Sequence, residues 1–436
     1  MSLGRLRSIL PVTATRSSDG HLVVGGCDVV DLVEHYGTPL MIMDRTTIES
    51  NATKVISEVG EAARVLYAGK SFLCVAMCQL IESLGMGLDV CTGGELATAL
   101  QADFPGERII FHGNNKSADE LEEARAAGVG RIVVDSFDEI DRIIDAGLST
   151  KLLVRVTPGV EAQTHQYVRT GHEDSKFGFP LSEGVALEAV RRILEVPDCT
   201  FAGLHAHIGS QIFDLAGFDL AIKRVSDFAA LILDKHDVEI DEVNMGGGFG
   251  IQYVEWEDPL PLGEVASGIV GNVKKQFKKR SLRAPNVFLE PGRSIAGPSG
   301  LTVYTVGTLK NLAGVSTFAS VDGGMSDNVR PALYGSGHEA LLANRVDAKD
   351  DGRISIAGKH CESGDVLIRE AKLPANVSIG DLVCVTATGA YNHSMASNYN
   401  RTPRPPVVLV ADGRASEMVR RETFEDVMRL DLPLEH

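Results

Sequence analysis

The stretch RVLYAGKSFLCVAMCQLIESLGMGLDVCTGGELATALQADFPGERIIFHGNNKSADELEEARAAGVGRIVV, residues 64–134, decides the fold. Four short apolar runs stand out in it: Arg64–Ala68, Gly87–Val90, Arg108–Phe111 and Arg131–Val134. Longer stretches separate them, and in SADELEEARAAGVG (117–130) the apolar residues recur at helical spacing. The alternation continues with strand candidates Lys151–Val156, Thr200–Ala206, Glu239–Met245 and Asn286–Glu290. Eight strands, each followed or preceded by a helix, is the count of a (β/α)8 barrel. A doubly wound open sheet is the alternative. It usually has fewer strands, and it carries a glycine-rich phosphate loop after its first strand, which this sequence lacks.

Beyond residue 297 the texture changes. LTVYTVGTL (301–309), DLVCVTATG (381–389) and PPVVLVA (405–411) are β-branched, with few helical stretches between them. ILPVT (9–13), HLVVGG (21–26) and PLMIMD (39–44) also read as strands and are expected to pair with the C-terminal sheet. The expected organisation is therefore a barrel over 37–297 and a mostly β domain, a sandwich or barrel, built from 1–36 and 298–436.

The chain has 436 residues and a net charge of −17 at pH 7, which argues against a nucleic-acid partner. Its one basic run, Lys274 to Arg280, reads as the solvated face of a helix. No run approaches the roughly 18 apolar residues of a membrane span, and the apolar patch at the N-terminus is too brief for a signal-peptide core. Seven scattered cysteines, with no C-x-x-C pair, argue against a disulfide framework and a zinc ribbon. A cytoplasmic protein is expected. Cys74 and Cys78 read as core residues of one apolar helix, and Cys361, in the polar string HCESGD (360–365), as the cysteine placed for chemistry.

Polar residues gather just past the strand ends: Lys70, Asp89, His112, Asn114, Asn115, Arg155, His205, His207, the triplet Gly246-Gly247-Gly248, and Glu290. In a barrel these positions share one mouth, where active sites form. A glycine triplet lets backbone N–H groups approach an anion. A lysine can bond covalently to an aldehyde, and a carboxylate can keep a pyridine nitrogen protonated. Together these are the needs of pyridoxal 5′-phosphate. No H-E-x-x-H string and no compact His/Asp set is evident, so no metal is expected.

The chain resembles the fold-type III pyridoxal-phosphate decarboxylases, and within them the diaminopimelate branch. The strings that carry the resemblance are YAGKSF (67–72), LDVCTGGEL (88–96), HGNNKS (112–117), HEDSKFGF (172–179), GLHAHIGSQI (203–212) and GGGFGI (246–251). EPGRSIAGPS (290–299), VDGGMSDNVRPALYG (321–335), HCESGD and TGAYNHSMASNYN (388–400) complete it. The resemblance covers nearly the whole chain in order. HCESGD together with RPALY and GAY points to the diaminopimelate branch rather than to the ornithine and arginine enzymes.

The resemblance implies roles residue by residue. Lys70 would carry the cofactor, His207 would stack on its ring, and Glu290 would hold its ring nitrogen. Asp89 and Arg155 would be further cofactor contacts. Ser210, Gly248, the turn Glu290-Pro291-Gly292-Arg293 and Tyr391 would surround phosphate and ring. Arg293, Arg330, Tyr334 and Tyr391 would face the substrate, with Glu362 on its distal amino group and Cys361 as proton donor. The family's site is completed by a second subunit, so the implied state is a homodimer with shared sites. The implied reaction is decarboxylation of meso-2,6-diaminopimelate to L-lysine, the last step of lysine biosynthesis. Arginines suit bidentate carboxylate binding, and two of them suit a substrate that keeps a carboxylate after losing one. GSGHEA (335–340) and Asn392-His393 depart from the family pattern near the pocket. The reading kept beside the first is a related decarboxylase of a D-amino acid or a carrier-linked amino acid.

Overall fold

The computed structural model describes residues 3–160, 176–312 and 316–434, and the chain divides into two compact units. One comprises Asn51–Ile251 and Asp258–Ser294; the other comprises Met1–Ser50, Gln252–Glu257 and Ile295–His436.

The first unit is the barrel. Its strands are β1 (Ala63–Ala68), β2 (Gly87–Val90), β3 (Ile109–Phe111), β4 (Arg131–Val134), β5 (Lys151–Thr157), β6 (Thr200–His205), β7 (Glu242–Asn244) and β8 (Asn286–Leu289). All pair in parallel with their sequence neighbours, and β8 pairs with β1, Leu289 opposite Val65, to close the ring. Leu66, Ile110, Val133, Leu153, Ala202 and Phe288, from six of the strands, pack as a buried cluster inside it. Beside it Arg131 of β4 and Glu242 of β7 form a buried ion pair, the Arg131 guanidinium 4.8 Å from the Phe288 ring centroid, while active-site chemistry in such a barrel sits at the strand ends. The connecting helices start close behind the strands because capping residues stop the loops early. Thr92 accepts from Glu95 N–H, Ser117 forms a capping box with Glu120, and Ser136 accepts from Glu139 N–H. The basic run lies on helix Leu262–Lys279, where Phe277 is buried and Lys274, Lys275, Lys278 and Lys279 are exposed.

The second unit is mostly β. Its long strand Gly300–Leu312 pairs antiparallel with Leu40–Asp44, Leu382–Val385 and Ser316–Val321, and Val407–Ala411 runs parallel to Leu40–Asp44. Tyr304, Val306, Ile354, Ile356, Leu373 and Val383 are among its core. An expected barrel start at residue 37 differs from this arrangement, since Leu40–Asp44 is a strand of the β unit.

Two other expectations for the N-terminal segment need correction. Residues 9–13 form no strand; Pro11 offers no N–H to a ladder. Residues 22–24 pair with Thr15–Arg16 and Cys27–Asp28 in a separate three-stranded sheet rather than in the C-terminal one. Gly25 and Gly26, at φ +58° and +79°, form the two-residue turn that closes this hairpin locally.

Candidate active site

The barrel's C-terminal mouth holds a cavity of about 330 Å³. Lys70, Asp89, Arg155, His207 and Glu290 all line it, as the strand-end pattern leads one to expect. Lys70 lies in the single turn Gly69–Ser71 that follows β1. Gly292 packs against that turn: a Cβ there would come within 2.9 Å of Ala68 Cβ and 3.0 Å of Ser71 Oγ. Ala68 N–H also donates to Pro291 O at 3.3 Å, so the EPGR turn and the lysine turn are held together.

Glu290 is the best-held group of the floor. His112 Nε2 is 2.8 Å from its Oε1, Asn244 Nδ2 donates to the same oxygen at 2.6 Å, and His205 Nε2 is 3.5 Å from Oε2. Burial alone would push this carboxyl up, but His112 and His205 beside it hold it well below the usual carboxylate range. His112 shows the reciprocal effect. Burial would lower it, yet Asp89 and Glu290 raise it above its ordinary value. His205 is pushed down to about 4, chiefly by burial. His207 is also driven well below its ordinary value, by burial first and then by Lys70 and Arg155. Asp89 is raised, again by burial.

The glycine triplet is required by close approach. Gly248, at φ +94°, would place a Cβ 2.1 Å from Gly209 O, and Gly246, at φ +66°, would place one 2.7 Å from His207 Nδ1. Gly247 N–H points at His207 Nδ1, 3.3 Å away. Nearby, Arg293 Nη2 donates to Ser210 Oγ at 3.0 Å.

The remaining expected residues belong to the β unit. Arg330 is buried, with its guanidinium 4.8 Å from the ring centroid of Tyr253 and 5.6 Å from that of Tyr334; its Nη2 donates to Ser336 Oγ at 2.9 Å. The unfamiliar GSGHEA loop is thus a support for Arg330. Its His338 is buried, with Nδ1 3.0 Å from Thr386 O and its ring edge-on to Tyr253. Cys361 and Glu362 are exposed, yet their segment is anchored. Cys361 N–H donates to Asn400 Oδ1 and His360 N–H to Asp365 Oδ2. Tyr391 is half-buried, with φ +60°. In the string HEDSKFGF, residues 172–175 lie outside those described.

Several site residues were not singled out in the sequence. Asn244 sits at the end of β7 and obeys the same strand-end rule as its neighbours. Cys91 lines the cavity, its thiol raised well above the ordinary value by burial and then by Asp89. Asp135 holds Arg155, whose Nη1 is 3.3 Å from Oδ2. The sequence shows no compact His/acid set, but the fold makes one: donor atoms of His112, His205 and Glu290 lie within 4.8 Å of one another. Three separate strand ends meet only when the barrel closes. Within this set Glu290 Oε1 already takes Asn244 and His112, so the cluster is organised to keep a carboxylate charged.

This donor set suits pyridoxal 5′-phosphate. An amine opens on the cavity for an aldehyde, and an anionic carboxylate waits at its floor for a protonated ring nitrogen.

Comparison with known proteins points the same way. Residues 45–297 match the family model described as pyridoxal-dependent decarboxylase, pyridoxal binding domain. A diaminopimelate decarboxylase of Halalkalibacterium halodurans is 47% identical over 429 residues, 97% of this chain and 98% of that one. One from Bacillus subtilis is 48% identical over 428 residues, 97% of each. The crystal structure of the M. jannaschii diaminopimelate decarboxylase in co-complex with L-lysine superposes with a TM-score of 0.90 at 33% identity, covering 97% of this chain and 98% of that one.

Proposed function

The chain belongs to the pyridoxal-dependent decarboxylases, and from that premise we propose that it converts meso-2,6-diaminopimelate to L-lysine and carbon dioxide. The observation that carries this reading is Glu290, a carboxylate kept anionic at the floor of the cavity on which Lys70 opens. When bound, pyridoxal 5′-phosphate supplies an electron-poor ring that accepts the electron pair left on the α-carbon as carbon dioxide departs.

The chain's own residues do the rest. Lys70 would attach the cofactor, and Glu290 would hold a proton at its ring nitrogen. His207, kept neutral by burial, lines the same cavity and would add no positive charge beside the ring. Gly248, Ser210 and the Glu290–Arg293 turn take the phosphate, with Arg155, Asp89 and Tyr391 as further contacts. Arg293, Arg330, Tyr334 and Tyr391 orient the substrate by the carboxylate it keeps, and Glu362 takes the distal ammonium. Cys361 gives its thiol proton to the α-carbon, forming the new C–H bond, and regains a proton from solvent.

Cys361 and Glu362 serve the site of a second copy in a homodimer. Their exposure on an anchored turn supports this: the segment is ordered but not buried in its own chain. The reaction belongs to the cytoplasm, in keeping with seven cysteines that all stand as free thiols. Among the described residues no helix is long and apolar enough to cross a membrane.

A carbon-dioxide release assay tests the proposal across meso-diaminopimelate, its L,L isomer, D-lysine and L-ornithine. Release from meso-diaminopimelate well ahead of the others is expected. Preference for D-lysine would overturn the substrate assignment in favour of a D-amino-acid decarboxylase.

A further inference from the structure

One lysine behind the cavity wall has no part in the roles above. Lys116 is 1% exposed, below the ring of Phe111, with 5.8 Å from Nζ to its centroid. Its ammonium donates to Gly113 O at 2.6 Å and Val133 O at 2.9 Å, and pairs with Glu139 Oε1 at 2.7 Å. Glu139 is equally buried. Two backbone carbonyls thus take hydrogen bonds from the ammonium, and the carboxylate supplies its countercharge.

Those acceptors come from two different walls of the site. Gly113 lines the cavity and follows His112, the partner of Glu290. Val133 is on β4, which leads into Asp135. Glu139 Oε2 accepts the Asp135 N–H at 2.8 Å. The Asp135 carboxylate in turn accepts from Arg155 Nη1 at 3.3 Å and from Gly178 N–H at 2.6 Å. Arg155 is braced on its other side by Phe177, 4.3 Å from guanidinium carbon to ring centroid. Two ion pairs, Lys116–Glu139 and Asp135–Arg155, joined through the Asp135 N–H, therefore run through the wall and end in the cavity.

Packing alone does not call for this. A buried ion pair can often be replaced by apolar side chains of similar volume at no loss of stability, because the desolvation penalty disappears. An apolar side chain cannot, however, bond carbonyls from two loops at once. We propose that Lys116, together with Glu139, is a positioning residue for the pyridoxal 5′-phosphate site. It ties the loop that carries His112 to the turn that carries Asp135, and so sets Glu290 and Arg155 against the cofactor. The proposal rests on the cofactor assignment above.

The test compares the unmodified chain with Lys116→Met/Glu139→Leu and with Glu139→Gln. Three quantities are measured: the thermal midpoint of each cofactor-free protein, the pyridoxal 5′-phosphate Kd by absorbance titration, and kcat and KM with meso-diaminopimelate. Failure of the unmodified chain to bind the cofactor would defeat the underlying assignment, whatever the variants do. Given that binding, the double variant should melt within a few degrees of the parent. Its cofactor Kd should rise, and its kcat fall, by about tenfold or more, the scale expected when supports of a site shift by a fraction of an ångström. KM should change little. A folded double variant with Kd and kcat within about twofold of the parent would show the pair to be packing only, and overturn the proposal. Should that variant not fold, Glu139→Gln decides. Its amide still accepts the Asp135 N–H but gives Lys116 no countercharge, so weaker cofactor binding is expected and an unchanged Kd overturns the idea.

Discussion

His112 Nε2 lies 2.8 Å from Glu290 Oε1, so a histidine at the end of β3 fixes the carboxylate at the end of β8. Each keeps the other charged against burial, Glu290 low and His112 high. The floor of the mouth is thereby an anion held in place before any ligand arrives.

That anion is expected to matter for turnover more than for binding. Glu290→Gln should still take up pyridoxal 5′-phosphate, since Lys70 and the phosphate contacts remain. A neutral amide cannot keep the ring nitrogen protonated, and losing one such electrostatic contact costs about 3 kcal/mol, about a hundredfold in kcat. Steady-state kinetics on cofactor-saturated variant check this; near-normal kcat would mean that another group stabilises the carbanion.

Lys70 should be the point of covalent attachment. Borohydride treatment of the yellow protein should fix the chromophore to the peptide containing Lys70, readable by mass spectrometry, and Lys70→Ala should yield no fixed adduct. An adduct at another lysine would displace Lys70 from its role.

Three histidines of the mouth tilt the stability of the cofactor-free protein with pH in opposite directions. His205, depressed to about 4, binds its proton in the unfolded chain but not in the folded one between pH 4 and its ordinary value of 6.5. Its contribution is complete above 6.5 and is lost as pH falls through that window; His207, depressed by burial, acts in the same direction. His112 is raised, so its contribution is complete below 6.5 and is lost as pH rises through its folded value. Urea midpoints measured from pH 5 to 9, variant against parent, separate the two contributions. His205→Gln should flatten the acid limb and His112→Gln the alkaline one. Unchanged limbs in both variants would refute the assignment.

The proposed sharing of sites between two copies predicts complementation. Lys70→Ala and Cys361→Ala should each be nearly inactive, and mixing them under conditions of subunit exchange should restore activity through one intact site per mixed dimer. Absence of recovery, with exchange confirmed by mass, would place both residues in the same chain's site.

Specificity should follow the retained carboxylate. Arg330 is buried, its guanidinium over the rings of Tyr253 and Tyr334, and losing a charge-assisted bond from it to the retained carboxylate penalises the wrong substrate. D-lysine should react roughly a thousandfold less efficiently than meso-diaminopimelate, and Arg330→Met should narrow that gap. Comparable kcat/KM values for the two in the unmodified enzyme would end the diaminopimelate reading.

The sequence by itself determined the eight barrel strands, because apolar runs followed by short capped helices are local signals. It also determined Lys70, Asp89, Arg155, His207 and Glu290 as residues of one mouth, because strand ends in a closed barrel share a face. It did not determine which strand ends touch. His112, His205, Asn244 and Glu290 come from four strands, and only ring closure brings them within bonding distance. The Lys116–Glu139 pair was equally hidden, since a lysine in HGNNKS looks solvated until packing encloses it. Pairing of Leu40–Asp44 with the C-terminal strands, and of residues 15–28 with themselves, was likewise a tertiary choice. Period-two patterns say that a segment needs a partner; the partner is set by which apolar face the rest of the fold leaves open.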